Sequence, residues 1–118
     1  QLCADLGVWW GKENERLPLP LGGNVIHKRF DPATRKVVAE VLTASIRYSL
    51  DHRPEAVQYA LQYARDMGQD LADKFVGMYV NHWTLDYGEK GRESIRRFLG
   101  LAFERGLIAH RQELEFVG

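Results

Sequence analysis

Ten residues near the start of the chain, Leu17–Ile26 (LPLPLGGNVI), constrain its fold more than any others. Pro18 and Pro20 fix φ, lack an N–H, and disfavour the helical region for the residue before each of them. Leu17 and Leu19 are therefore held extended. Gly22 and Gly23 permit backbone angles or close approaches that a side chain forbids. The next residues, Asn24–Phe30 (NVIHKRF), alternate loosely around β-branched Val25 and Ile26 and predict one extended strand. A single strand cannot satisfy its own backbone, so it needs a sheet to join or must lie as a strap across helices.

The segments around this stretch read as helix. Asp5 is placed to cap a short helix holding Val8, Trp9 and Trp10, which the polar run Gly11–Arg16 ends. Asp31 and Pro32 open a long helix whose Val38, Val41, Leu42, Ser45 and Ile46 share one face. DHRPE, from Asp51, starts the next, with Val57, Ala60, Leu61 and Ala64 as its stripe and Gly68 as its stop. A third runs from about Asp70 to Val80 and is expected to bury Leu71, Phe75, Val76 and Tyr79. NHWTLDYGEKG interrupts it. A fourth carries Ile95, Phe98, Leu99, Ala102 and Phe103 and ends at Gly106, with Leu107 and Ile108 following. The expected class is mainly α, about four to five helices plus one extended strand. It is organised as a short helix and loop (1–16), a crossing segment and strand (17–30), a helical part (31–108) and a polar tail (109–118).

Composition narrows the function. The 118 residues suffice for one modest core. Sixteen basic residues balance sixteen acidic ones, which argues against a nucleic-acid or membrane-surface partner, since both demand excess Lys and Arg. The lone Cys3 cannot form an internal disulfide, so nothing points to an oxidising compartment and a cytoplasmic location is expected. No apolar run approaches the length of a membrane span. The chain opens at Gln1 directly into LCADLGVWW and is expected to be part of a longer protein.

Catalytic signatures are sparse. His27, His52, His82 and His110 have no His, Cys or carboxylate partner at ligand spacing, so no metal site is expected. His82, in a loop beside Trp83, comes nearest to a site. GEKGRESIRR (Gly88–Arg97) resembles the GxxG clamp of a nucleic-acid module, or an anion site at a helix start. Glu89 and Glu93 blunt its field, however, and Arg92, Arg96 and Arg97 read as a solvated face. Ser45, Ser49 and Ser94 fall inside helices rather than on a nucleophile elbow. Asp86, among aromatics, reads as a turn or cap. Trp9, Trp10, Trp83 and Tyr87 suit core anchoring better than a ring-stacking pocket.

Four strings nevertheless occur together and in order: DLGVWW (5–10), LPLPLGG (17–23), SIRYSLDHRPEAVQYA (45–60) and MYVNHWTLDYGEKGRESIRRFL (78–99). Over nearly the whole chain they resemble the carboxy-terminal portion of the 1,4-dihydroxy-6-naphthoate synthases of the futalosine route to menaquinone. The sister chorismate-using menaquinone enzymes share that fold. The resemblance implies a parent α/β protein of two lobes, like periplasmic binding proteins, with substrate held between the lobes. It implies a lyase converting cyclic dehypoxanthinylfutalosine to 1,4-dihydroxy-6-naphthoate with no metal or organic cofactor. It places the family's catalytic histidine before Gln1, and none of the four histidines here matches that motif, so this chain carries no matched catalytic residue. LPLPLGG would then be the crossing between lobes, and Leu21, Gly22, Gly23 and Asn24 would line the substrate cleft.

Two other functions fit the same residues: a non-catalytic solute-binding protein of a transporter with this fold, and a stand-alone helical interaction module. The expected partners are a small-molecule substrate in the full-length protein and the preceding part of its own chain. Apolar helix stripes left uncovered would also allow the fragment to form a homodimer.

Overall fold

The computed structural model describes residues 3–63 and 68–117. Six helices run through them: α1 (Leu6–Glu13), α2 (Pro32–Asp51), α3 (Arg53–Leu61), α4 (Gln69–Tyr79), the single turn α5 (His82–Leu85) and α6 (Gly88–Glu104). Tertiary contacts divide them into two units. The first holds α1, the proline strap through Val25, α6 and the tail through Phe116; the second holds α2 to α5.

The first unit is built around one indole. Asp5 caps α1 by accepting the Val8 N–H at 2.9 Å. The next turn then brings Trp10 to 3% exposure. A buried indole N–H needs an acceptor, and the Ser94 hydroxyl of α6 supplies it at 3.0 Å. Ser94 is itself 0% exposed, and its hydroxyl donates onward to the carbonyl of Pro18. Phe98, one turn after Ser94, meets the Trp10 ring edge-on with centroids 5.6 Å apart. Three segments distant in sequence thus converge on one side chain.

The end of α1 is unusual. Glu15 and Arg16 both take left-handed angles, φ 54° and 61°, without being glycine. The Arg16 N–H returns to the Gly11 carbonyl at 2.7 Å, and the Leu17 N–H to that of Asn14 at 2.9 Å. These bonds turn the chain sharply into the strap. At the other end of the unit Gly106, φ 69°, closes α6 as expected. Its N–H reaches Phe103 at 2.9 Å, and that of Leu107 reaches Ala102 at 2.8 Å.

In the second unit Asp31 caps α2 through the Thr34 N–H and hydroxyl, at 3.0 and 2.6 Å. Pro54 cannot donate to the α2 ladder, and α2 stops at Asp51. α3 packs on α4, with Val57 and Ala72 as its buried apolar residues. Arg53 clamps the pair, its guanidinium donating to the Asp73 carboxylate at 2.6 Å and to the Asp73 carbonyl at 2.8 Å. The clamp lies directly on Gly77, where an added Cβ would come within 2.8 Å of it. Asn81 and Thr84 cap α5 reciprocally.

Four expectations need correction. The strand over Asn24–Phe30 is absent, and no strand occurs among the described residues. Val25 is 97% exposed, and a Phe30 N–H to His27 carbonyl bond bends the chain where a strand would run on. The faces expected to be core on α2 and α4 are largely open, with Val38, Val41, Leu71, Phe75 and Tyr79 all exposed. Helical periodicity marks a face that prefers burial, and here no described element covers it. On α4 the small Ala72 is the buried residue, because close approach of α3 favours it. α3 ends at Leu61 rather than at Gly68, which instead caps the start of α4; Ala64 lies outside the described residues. Finally, Arg92, Arg96 and Arg97 are not simply solvated. The first two guanidiniums lie over the Phe116 ring at 5.6 and 5.2 Å, and Arg97 reaches Glu15 at 3.5 Å.

Two measurements check this account. Ser94→Ala leaves the buried Trp10 N–H unpaired and should cost roughly 1–3 kcal/mol in urea unfolding followed by tryptophan fluorescence. Ser49→Ala, which removes only a bond back to the Ser45 carbonyl within α2, should cost less than about 0.5 kcal/mol. Asp31 gives a pH signature. The Thr34 hydroxyl and then its N–H hold the carboxyl below its ordinary 3.8. The cap's contribution is therefore fully present above that ordinary value and fades as pH falls through the lower folded value. Circular dichroism should show wild type and Asp31→Ala separated near neutrality and converging in acid.

Candidate ligand-binding segment

The candidate segment Leu21–Asn24 belongs to the first unit and follows directly on its anchor. Pro18 is tied to Ser94, and the residues from Leu17 to Pro20 are half-buried. From Leu21 to Asn24 the chain is exposed and irregular. Among the described residues no hydrogen bond holds these four.

Neither Gly22 nor Gly23 has a positive φ, so backbone freedom is not what glycine provides here. Space is. A Cβ on Gly22 would meet nothing within 4 Å, whereas one on Gly23 would sit 3.3 Å from the Tyr87 hydroxyl. The positive φ lies instead at Gly88, 55°, where the chain turns into α6.

Tyr87 is half-buried, and its ring meets Phe116 edge-on with centroids 6.4 Å apart and planes at 80°. Phe116 was not marked by the sequence, being one aromatic in a polar tail. The available signal was the pair Arg92 and Arg96, one helical turn apart and suited to stack on one ring.

The remaining candidates are dispersed. The His27 Nδ1 accepts from the Arg29 N–H at 3.0 Å, His52 stacks on Tyr48 with centroids 4.0 Å apart, and His82 tilts against Trp83. His82 and His110 are exposed. Among the described residues no group of three His, Cys, Asp or Glu side chains is disposed to hold a metal ion. Gly91 of the GxxG string is buried and bonds back to the Tyr87 carbonyl at 2.9 Å, so this string is a helix start and not an open clamp. Asp86 caps α5, as a turn residue would. Ser94, inside its helix as expected, proves to be the polar centre of the first unit.

One open groove of about 300 Å³ lies on that unit. Trp9, Trp10, Phe98 and Leu101 form its apolar wall, with Arg97 and Arg105 at its edge. Trp10 is thus a core anchor, while Trp9 keeps half of its surface open. Among the described residues no helix is long and apolar enough to cross a membrane.

Comparison with known proteins gives the family. A family model described as menaquinone biosynthesis matches residues 1–104. The 1,4-dihydroxy-6-naphthoate synthase of Thermus thermophilus is 34% identical over 106 residues, covering 90% of this chain and 39% of the relative. The enzyme of the same name from Streptomyces coelicolor is 32% identical over 105 residues, covering 89% of this chain and 37% of the relative. The chain therefore spans well under half the length of these relatives. No solved structure matches it. The chain belongs to the menaquinone-biosynthesis family and is similar, within it, to 1,4-dihydroxy-6-naphthoate synthases.

Proposed function

We propose that this chain is the carboxy-terminal portion of a cytoplasmic lyase that forms 1,4-dihydroxy-6-naphthoate from cyclic dehypoxanthinylfutalosine, using no metal or organic cofactor. The similarity to two synthases along nine-tenths of the chain carries this reading. The parent protein is a two-lobed α/β molecule resembling periplasmic binding proteins, and its catalytic histidine lies outside these 118 residues. The apolar faces left open on α2 and α4 accord with helices that pack against further chain. The fragment's own part is to present backbone to the substrate. Leu21, Gly22, Gly23 and Asn24 line the cleft, and their exposure beside a firmly anchored strap supports that role. A cleft lining must stay open to ligand while its ends are fixed, because positioning is what such a wall contributes to rate.

The direct test is formation of 1,4-dihydroxy-6-naphthoate from cyclic dehypoxanthinylfutalosine, followed by chromatography. The full-length protein should turn over without added metal and in the presence of a chelator. The 118-residue chain alone should not. Full-length protein that releases no naphthoate rejects the reading. In that protein Gly23→Val, which drives a branched side chain toward the Tyr87 hydroxyl, should lower kcat/KM by about tenfold or more. Its melting temperature should fall by only a few degrees. Gly22→Ala, facing open space, should leave folding unchanged. Each of His27→Gln, His52→Gln, His82→Gln and His110→Gln should keep kcat/KM within about threefold of wild type.

A further inference from the structure

We infer that Tyr87 and Phe116 are positioning residues that fix the backbone at Gly23. The inference rests on the cleft-lining role given above to Leu21–Asn24. It starts from a gap in the support of that segment. Pro18 is pinned by Ser94, yet no hydrogen bond among the described residues holds Leu21–Asn24. What stands beside the segment is the Tyr87 hydroxyl, 3.3 Å from the place a Gly23 Cβ would occupy and so closer than ordinary van der Waals contact.

Tyr87 can serve as a stop only if its own ring is held. It directly precedes α6, so its backbone is set by the helix start, including the Gly91 N–H to Tyr87 carbonyl bond of 2.9 Å. Its ring is set by Phe116, which packs edge-on against it. Phe116 is in turn held from α6 by two cations. The Arg92 and Arg96 guanidiniums lie 5.6 and 5.2 Å from its centroid, and Glu93 steadies Arg96 at 3.6 Å. An aromatic ring with guanidiniums over its face is favourably placed by its quadrupole. The tail is therefore a buttress: α6 holds Phe116, Phe116 holds Tyr87, and the tyrosine hydroxyl limits how far the glycine backbone can retreat from a ligand. Neither side chain need touch substrate. Loss of the buttress should loosen the wall and weaken binding, leaving the chemical step intact once substrate is seated.

Steady-state kinetics of the full-length protein with cyclic dehypoxanthinylfutalosine tests this. Tyr87→Phe removes only the stop, and Phe116→Ala only its support. Each should raise KM by about three- to tenfold with kcat within about twofold of wild type. Adding Gly23→Ala to Tyr87→Phe puts a methyl 3.3 Å from where the oxygen stood, partly filling the gap it leaves beside the segment, and should return KM most of the way to wild type, a coupling that a merely structural defect would not show. Unchanged KM in both single variants overturns the inference, and so does a double variant no better than Tyr87→Phe. Nitrogen-15 relaxation of the same proteins without substrate gives a readout independent of activity. The Gly23 amide order parameter should drop from about 0.85 toward 0.6 in Phe116→Ala, and an unchanged value also rejects the buttress. A wild-type enzyme that makes no naphthoate sinks the proposed function, while the relaxation result still decides the role of Phe116.

Discussion

The first unit depends on the hydroxyl of Ser94. A buried indole N–H and the carbonyl of half-buried Pro18 pose opposite needs, one for an acceptor and the other for a donor. A hydroxyl answers both, because it accepts and donates at once. Ser94 takes the Trp10 N–H at 3.0 Å and gives its own proton to Pro18. It thereby joins α1, the strap and α6 at one atom. An alanine would fill much of the same space and satisfy neither group. Apolar packing around this atom, with Phe98 against Trp10, supplies the area; the hydroxyl supplies the register.

What the sequence discloses and what it hides separate along physical lines. Caps are local: Asp5, Asp31 and Gly106 each act within a few residues, and their helices begin or end where the residue types require. Helix existence was legible for the same reason. Burial is not local. The α2 stripe through Val38 and Val41 has helical spacing but stays open, since periodicity names a preference and not a partner. The strand at Asn24–Phe30 failed similarly, because β-branched residues favour an extended backbone but cannot furnish the neighbouring strand that defines one.

The candidate site followed the same division. LPLPLGG was recognisable as a stiff, non-helical segment, and its Pro18 carbonyl is held by Ser94. Of the two reasons expected for the glycines, close approach holds at Gly23, which leaves room beside Tyr87, and a left-handed angle holds at neither. Phe116 and Ser94 were invisible in their roles because each acts on residues more than twenty positions away. Family membership, by contrast, rests on a match along residues 1–104, and it needed no knowledge of these contacts.

The strap's alternating prolines carry one more consequence. A non-helical run that emerges into solvent at Leu21 and ends in Val25 at 97% exposure has the makings of an aggregation template. Pro18 and Pro20 remove every second N–H from its first half, so an incoming chain finds no continuous row of donors along which to zip. The same residues that keep the segment straight also keep it from seeding fibrils.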